Sequence, residues 1–313
     1  MTSEHVAPLA RPKATGSLLA VLIALVLSMR PKQWTKNAFV GAALIFSQQL
    51  LHLDALARTA AAIALFCLLS GAVYLVNDLT DLEADRQHPR KRHRPLASGR
   101  LSPKVAAVAA VLSVIGGLVG SFALSVPFGA TALAYLLLNL AYSLWLKHVV
   151  ILDVLSVALG FVLRAAAGAA VLAVELSPWL LACTILLALF LALSKRRHEL
   201  TLLESGAGSH RPILEEYSVA LLDQMISVVT SSTVVAYALY TLSPRTVEEF
   251  GSNKLVYTVP FVLYGIFRYL YLIHQRDGGG NPEQLLLSDR PLLVSVLLWV
   301  VTAAILVYVV RYI

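Results

Sequence analysis

Between Asn77 and Arg100 the chain reads NDLTDLEADRQHPRKRHRPLASGR, and these residue types and spacings are suited to chemistry. An asparagine and four acids (Asn77, Asp78, Asp81, Glu83 and Asp85) precede a block of arginine and lysine. At ~100° of turn per residue, a helix that continues through Asp85 puts Asn77, Asp81 and Asp85 at ~0°, ~40° and ~80°, with Asp78 at ~100°. Those four side chains then share one face at the mouth of an apolar helix. Converging carboxylates suit Mg²⁺, a hard cation that takes oxygen ligands and leaves positions for substrate phosphates. The expectation is therefore a metal held by Asn77, Asp78, Asp81 and Asp85, with the three aspartates catalytic. The basic block beyond them would hold phosphate oxygens that the metal leaves uncovered. A frayed helix end with mixed charge is the bland alternative. It does not predict side chains at i, i+4 and i+8 with every base following them.

A second charged cluster, Lys195-Arg196-Arg197-His198-Glu199, ends a later apolar run. Lys195, Arg196 and Glu199 lie within one helical turn and can address one point. A positive-inside anchor explains the bases but not Glu199. Arg164 falls deep within an apolar run, where a charge costs about 2.5–3.5 kcal/mol on insertion scales. It needs a polar partner, either a carboxylate of the first cluster or a substrate. Lys36 and Asn37, at the entry of the first expected span, either close the third side of the same pocket or lie at the headgroup level. Gly278-Gly279-Gly280 makes the loop before the last span a candidate lid. It carries no GxxxxGK[ST] pattern, so it is not a Walker A loop.

The elements that carry these residues must cross a membrane. Of 313 residues, 58% are hydrophobic and 14% charged, with a mean hydropathy of +0.76; soluble domains run near 45–50% apolar and about 25% charged. Expected spans are 35–53, 59–78, 102–123, 127–146, 150–171, 177–195, 219–241, 254–273 and 291–311, each able to cross ~30 Å of hydrocarbon. Residues 1–16 read as a mobile cytoplasmic tail and 17–313 as a single membrane domain. All-α structure follows, because backbone exposed to lipid must satisfy its own hydrogen bonds. The stretch from Leu18 to Leu27 is too short to span, and no small-residue cleavage site follows it, so it is not a signal peptide. It reads as an interfacial helix anchored by Trp34.

Nine spans set the termini on opposite sides, with nineteen Lys and Arg on one side against four on the other. That bias puts the N-terminus and both basic loops in the cytoplasm. The net charge of +7 thus gathers at span ends and is not a nucleic-acid footprint. Cys67 and Cys183 lie in apolar runs and read as core residues, and no HExxH or close His/Cys group points to zinc. Small residues such as Gly116-Gly117-x-x-Gly120 and Ala165-Ala166-Ala167-Gly168 allow close helix packing and leave a homo-oligomer open.

NDxxDxxxD (Asn77, Asp78, Asp81, Asp85) followed by Arg94-Pro95-Leu96-Ala97-Ser98-Gly99 resembles the UbiA-type intramembrane prenyltransferases. That resemblance implies nine helices around a central cavity, with the acidic motif holding Mg²⁺ and a diphosphate. Members usually carry a second aspartate-rich motif after the sixth span, where this chain has Lys195-Arg196-Arg197-His198-Glu199. With Arg30-Pro31-x-Gln33-Trp34-x-Lys36-Asn37 and Arg86-x-His88-Pro89-x-Lys91-Arg92-x-Arg94-Pro95, this departure resembles the decaprenyl-phosphate phosphoribosyltransferase branch. Tyr217 and Asp289-Arg290 are similar to residues of that branch.

The branch implies 5-phosphoribosyl diphosphate and a polyprenyl (decaprenyl) phosphate as substrates, in a bacterial plasma membrane, towards decaprenyl-phosphoryl arabinose for cell-wall arabinan. Lys36, Asn37, Asn77, Arg92, Arg94, Arg164, Lys195, Arg196, Glu199 and Tyr217 are then the candidate substrate-binding residues. The charge balance agrees. At ~4 Å and an effective dielectric of ~20, two like charges repel by about 4 kcal/mol. Joining a lipid phosphate to a donor that carries both a diphosphate and a 5-phosphate calls for more lysine and arginine, not a second acidic motif. A conventional prenyltransferase, with an isoprenyl diphosphate and an aromatic acceptor, would be expected to keep that second motif. A lipid carrier needs no ordered metal motif.

Overall fold

The computed structural model describes residues 17–308, except 90, 176, 205–211, 277–279 and 281. The expected tail at 1–16 and most of the glycine run lie outside the described residues. Helices and their connecting turns make up the described residues, with no strand among them.

Helix α1 spans Leu18–Ser28, and a 3₁₀ helix, Pro31–Gly41, leads into the short α2, Ala42–Phe46. Eight helices, or helix runs, are long and apolar enough to cross a membrane. They are α3 (Leu53–Thr80), α5 (Pro103–Leu124), α6 (Val126–Leu144), α7 (Leu152–Leu172), α8 (Pro178–Glu204), α9 (Val219–Leu242), α11 (Val259–Gln275, entered through a 3₁₀ turn from Lys254) and α13 (Arg290–Tyr308). Between them lie α4 (Leu82–Gln87), α10 (Pro244–Phe250) and α12 (Pro282–Ser288). The first expected span, 35–53, is where sequence and structure differ. Those residues divide between the 3₁₀ helix, α2 and a turn in which Gln48 is left-handed (φ 59°). The stretch lacks the unbroken apolar run of a long α-helix: Lys36, Asn37, Gln48 and Gln49 interrupt it.

Local sequence explains the boundaries. Ser125, Ser218 and Ser243 cap α6, α9 and α10, their hydroxyls accepting from the backbone N–H three residues on. Pro103, Pro127, Pro244 and Pro260 sit in first turns, where a missing N–H costs nothing.

Packing follows chain order: α3 against α5, α5 against α6, α6 against α7, α7 against α8, α8 against α9, and α11 against α13. Helix α7 is the central element, touching α3, α6, α8, α2 and the 3₁₀ helix. Small residues permit this. Gly168 of α7 faces the Val40 carbonyl of the 3₁₀ helix, and a Cβ there would collide with it. Gly117 of α5 leaves room for the Leu69 side chain of α3. Phe66, Leu69, Phe128, Ala132 and Ala167 fill the space between α3, α6 and α7 and are fully buried. Outward, Val108, Val111, Leu112, Ile115 and Val119 of α5, and similar rows on α1, α9 and α13, present bare apolar surface. In water such a surface would be a liability; against lipid it is the expected exterior.

Candidate active site

Helix α3 does not run on through Asp85, which corrects the single-face geometry expected above. It ends at Thr80, Asp81 turns away (φ −94°, ψ 10°), and α4 restarts at Leu82. Thr80 assists the break: its hydroxyl donates to the Asn77 carbonyl, competing with the helix ladder. The bend brings Asp78 and Asp85 together and sends Asp81 elsewhere. Asp78 Oδ1 accepts from Arg94 Nη1 at 3.1 Å, and Asp85 Oδ2 accepts from the same nitrogen at 2.5 Å. Arg30 Nη2 also reaches Asp78 Oδ1, at 2.5 Å, and Lys91 Nζ lies 3.7 Å from Asp85 Oδ1. Asp81 instead faces Lys147 at 3.8 Å. Asn77 is half-buried one turn before Asp81.

The RPLASG turn fixes Arg94. Leu96 and Leu101 are buried against α1, α3 and α5. Leu101 N–H donates to the Pro95 carbonyl at 2.9 Å, and Gly99 takes a left-handed φ of 80° that closes the turn. Arg92 points outward and is exposed, with His93 as its hydrogen-bond partner.

The second cluster forms as expected and gains a residue that sequence reading missed. Arg196, 4% exposed, donates from Nε to Asp153 Oδ2 at 2.7 Å and from Nη1 to Glu199 Oε2 at 2.6 Å. Asp153 is fully buried at the start of α7 and accepts from the Tyr217 hydroxyl at 2.7 Å on its other oxygen. Tyr217 in turn accepts from the Ile151 N–H at 2.8 Å. Burial, and then the hydrogen bond to Asp153, push the Tyr217 phenol well above its ordinary value, so it stays a donor. Ile151 is held at φ 69°, costly for a β-branched residue by about 1–3 kcal/mol, and this turn delivers its N–H to Tyr217. Lys195 is half-exposed, 4.0 Å from Glu199. The signal for Asp153 was an acid at the start of an apolar run, where it reads as an ordinary helix-start residue.

The two clusters are linked by the segment between α6 and α7 together with the first turn of α7. It carries Lys147 to Asp81, and Ile151 with Asp153 to Tyr217 and Arg196. Arg164 and Asn37 join neither cluster. Arg164 donates to Asn37 Oδ1 (2.9 Å), the Gly160 carbonyl (3.0 Å) and the Tyr135 hydroxyl (2.8 Å). Its guanidinium lies over the Tyr135 and Phe161 rings. Asn37 is fully buried and donates to Ser70 and Cys67. The pair ties the 3₁₀ helix to α3, α6 and α7, and amide, carbonyl and phenol oxygens stand in place of the first-cluster carboxylate that was one of the two expected partners of Arg164. Lys36 sits one residue before Asn37 at the middle of that helix. A cavity of about 450 Å³ opens at the opposite end of the bundle, between α2, α8, α9 and α10, remote from these charges. The Asp289-Arg290 pair has a local role: Asp289 caps α13 and binds Arg268 of α11 through both oxygens.

The donor chemistry at α3 fits a hard divalent cation. Among the described residues no three His, Cys, Asp or Glu side chains converge, but two carboxylates do. Asp78 Oδ1 and Asp85 Oδ2 both lie within 3.1 Å of one guanidinium nitrogen. Mg²⁺ is typically held by one or two carboxylates plus substrate phosphates, so this pair suffices, while Asp81 is paired with Lys147 instead.

Comparison with known proteins agrees with the geometry. The UbiA prenyltransferase family model matches residues 36–288. A decaprenyl-phosphate phosphoribosyltransferase of Mycolicibacterium smegmatis is 33% identical over 321 residues, covering 98% of this chain and 99% of the relative. A protein of the same name from Corynebacterium glutamicum is 35% identical over 296 residues, covering 91% and 87%. A UbiA homologue of Archaeoglobus fulgidus, solved with GPP and Mg²⁺, shares the fold with a TM-score of 0.67 at 18% identity, over 91% of this chain and all of that one. This polytopic, all-helical membrane protein belongs to the UbiA prenyltransferase family.

Proposed function

We propose that this chain transfers 5-phosphoribose from 5-phosphoribosyl diphosphate to a polyprenyl phosphate of the decaprenyl class, releasing diphosphate. The observation that carries the reading is full-length similarity to transferases of that name. It is supported by a second cluster built on Lys195, Arg196 and Glu199. The reaction would take place at the cytoplasmic face of a bacterial plasma membrane, supplying the precursor of decaprenyl-phosphoryl arabinose for cell-wall arabinan.

Asp78 and Asp85, joined by Asn77 and Asp81 from the same end of α3, would hold Mg²⁺, which when bound supplies charge neutralisation at the diphosphate. Arg94 and Lys147 lie within this group and neutralise further phosphate oxygens. Glu199 is half-buried and oriented by Arg196, which Asp153 fixes from behind. It accepts from ribose hydroxyls, while Lys195 faces a phosphate. Tyr217 locks Asp153 rather than touching substrate. The lipid enters sideways with its tail along apolar helices. One of its phosphate oxygens forms a bond to the anomeric carbon as the bond from that carbon to the diphosphate oxygen breaks. The bonding pair leaves with diphosphate. A phosphate is already ionised at neutral pH, so no general base is required. Catalysis rests on positioning and charge neutralisation.

The test is incubation of the purified protein with Mg²⁺, labelled 5-phosphoribosyl diphosphate and decaprenyl phosphate, followed by organic extraction. A labelled lipid that disappears with EDTA is expected. Turnover of an isoprenyl diphosphate with an aromatic acceptor, and no labelled lipid, would overturn the reading.

A further inference from the structure

Arg30 lies between α1 and the 3₁₀ helix with a left-handed backbone (φ 55°), a conformation that a side chain of this size keeps only where its surroundings hold it. Here the guanidinium holds it. Nη2 binds Asp78 Oδ1, and the group lies 4.5 Å from the centre of the Tyr74 ring. Yet Arg30 is not the only cation on Asp78: Arg94, shared with Asp85, binds the same oxygen. The Arg30 side chain is 30% exposed, and among the described residues Nη2 is its only hydrogen-bonding nitrogen. A guanidinium with an open edge beside a carboxylate that has a second cation is placed to change partners.

Its position indicates what that partner is. Helix α1 ends at Ser28 and presents Leu18, Leu19, Leu22, Ile23, Val26 and Leu27 as bare apolar surface. Such a face lies in lipid. Arg30 therefore sits between a lipid-facing helix and the carboxylates of α3 and α4. An amphiphile whose tail lies along α1 brings its head to Arg30, at the edge of the acidic cluster. Phosphate matches the guanidinium fork, which can donate two parallel hydrogen bonds.

We propose that Arg30 is a ligand for the phosphate head of the lipid acceptor, and that it leaves Asp78 to take it. Asp78 then keeps Arg94 and gains a free lone pair, so arrival of the lipid readies the acidic cluster. What the bound phosphate does next rests on the phosphoribosyl-transfer reading; its binding does not.

The experiment measures equilibrium binding to the full-length protein in detergent, without turnover. The probes are a short isoprenyl phosphate, the isoprenol of equal length, and 5-phosphoribosyl diphosphate with Mg²⁺. The variants are Arg30→Gln and Arg30→Gly; glycine accepts the left-handed backbone and removes the guanidinium without strain. A melting temperature equal to wild type is the folding control, and Arg30→Lys, which keeps the charge and loses the fork, replaces any variant that fails it. Wild type should prefer the phosphate over the alcohol. The variants should lose about tenfold or more of isoprenyl phosphate affinity, with no loss of donor affinity. Unchanged isoprenyl phosphate binding would overturn the proposal. A loss confined to 5-phosphoribosyl diphosphate would overturn it too, by assigning Arg30 to the donor's phosphates. Failure of phosphoribosyl transfer in wild type would sink the proposed function and leave this readout intact.

Discussion

Asp153→Leu should be among the most damaging single changes in the bundle, and adding Arg196→Met should reverse much of the damage. Asp153 is fully buried and Arg196 is 4% exposed. Removing one member of a buried ion pair typically costs about 3–5 kcal/mol, because the other charge stays buried. Glu199 still pairs with Arg196 at 2.6 Å, which argues for the low end, about 3 kcal/mol. The orphaned Tyr217 hydroxyl adds about 1 kcal/mol. The single variant should therefore lose about 4 kcal/mol. Exchanging both partners for apolar residues of similar volume is often neutral, so the double variant should recover most of it. Reversible unfolding in mixed detergent micelles measures both. Kinetics separates fold from site: the double variant, though folded, should show a raised KM for 5-phosphoribosyl diphosphate because Glu199 has lost its anchor. Wild-type stability in Asp153→Leu alone would refute the reasoning, since Arg196 would then be satisfied without Asp153.

Asp81→Asn should abolish Mg²⁺-dependent transfer while shifting unfolding by less than about 1 kcal/mol, because Asp81 is 42% exposed with Lys147 at 3.8 Å; near-normal turnover would refute its place at the metal. Gly168→Ala should destabilise by about 1–3 kcal/mol or more, since its methyl group meets the Val40 carbonyl with no room to yield; a melting scan against Gly116→Ala, which meets nothing, is the control. The hydrogen bond from Arg268 holds the Asp289 carboxyl below the ordinary carboxylate range. A depressed folded pKa contributes stability above the unfolded value, near ~3.9, that is lost as pH falls through the lower folded one. Acid titration of unfolding should therefore show a component in wild type that is missing from Asp289→Asn.

The sequence carried the membrane architecture because apolar runs, serine caps and first-turn prolines are local signals. It placed Asp78, Asp81 and Asp85 at one helix mouth but not their arrangement, since a break at Asp81 redirects every side chain after it. Arg94 was legible as a base; that it would draw Asp78 and Asp85 together depended on the burial of Leu96 and Leu101. Asp153 and Lys147 were invisible as partners because their contacts come from segments 43 and 66 residues away. The 3₁₀ winding of Pro31–Gly41 has no periodic signature to read, so Asn37 could not be foreseen as the partner of Arg164.

That Arg164 arrangement also bears on what can leak through the bundle. Its positive charge lies inside α7, 8% exposed, and among the described residues it is solvated by neutral oxygens and paired with no anion. At ~10 Å and an effective dielectric of ~20, it raises the energy of any approaching monovalent cation by about 1.7 kcal/mol, and more at closer range. A bundle of membrane-spanning helices therefore carries its own barrier to cation permeation midway along them.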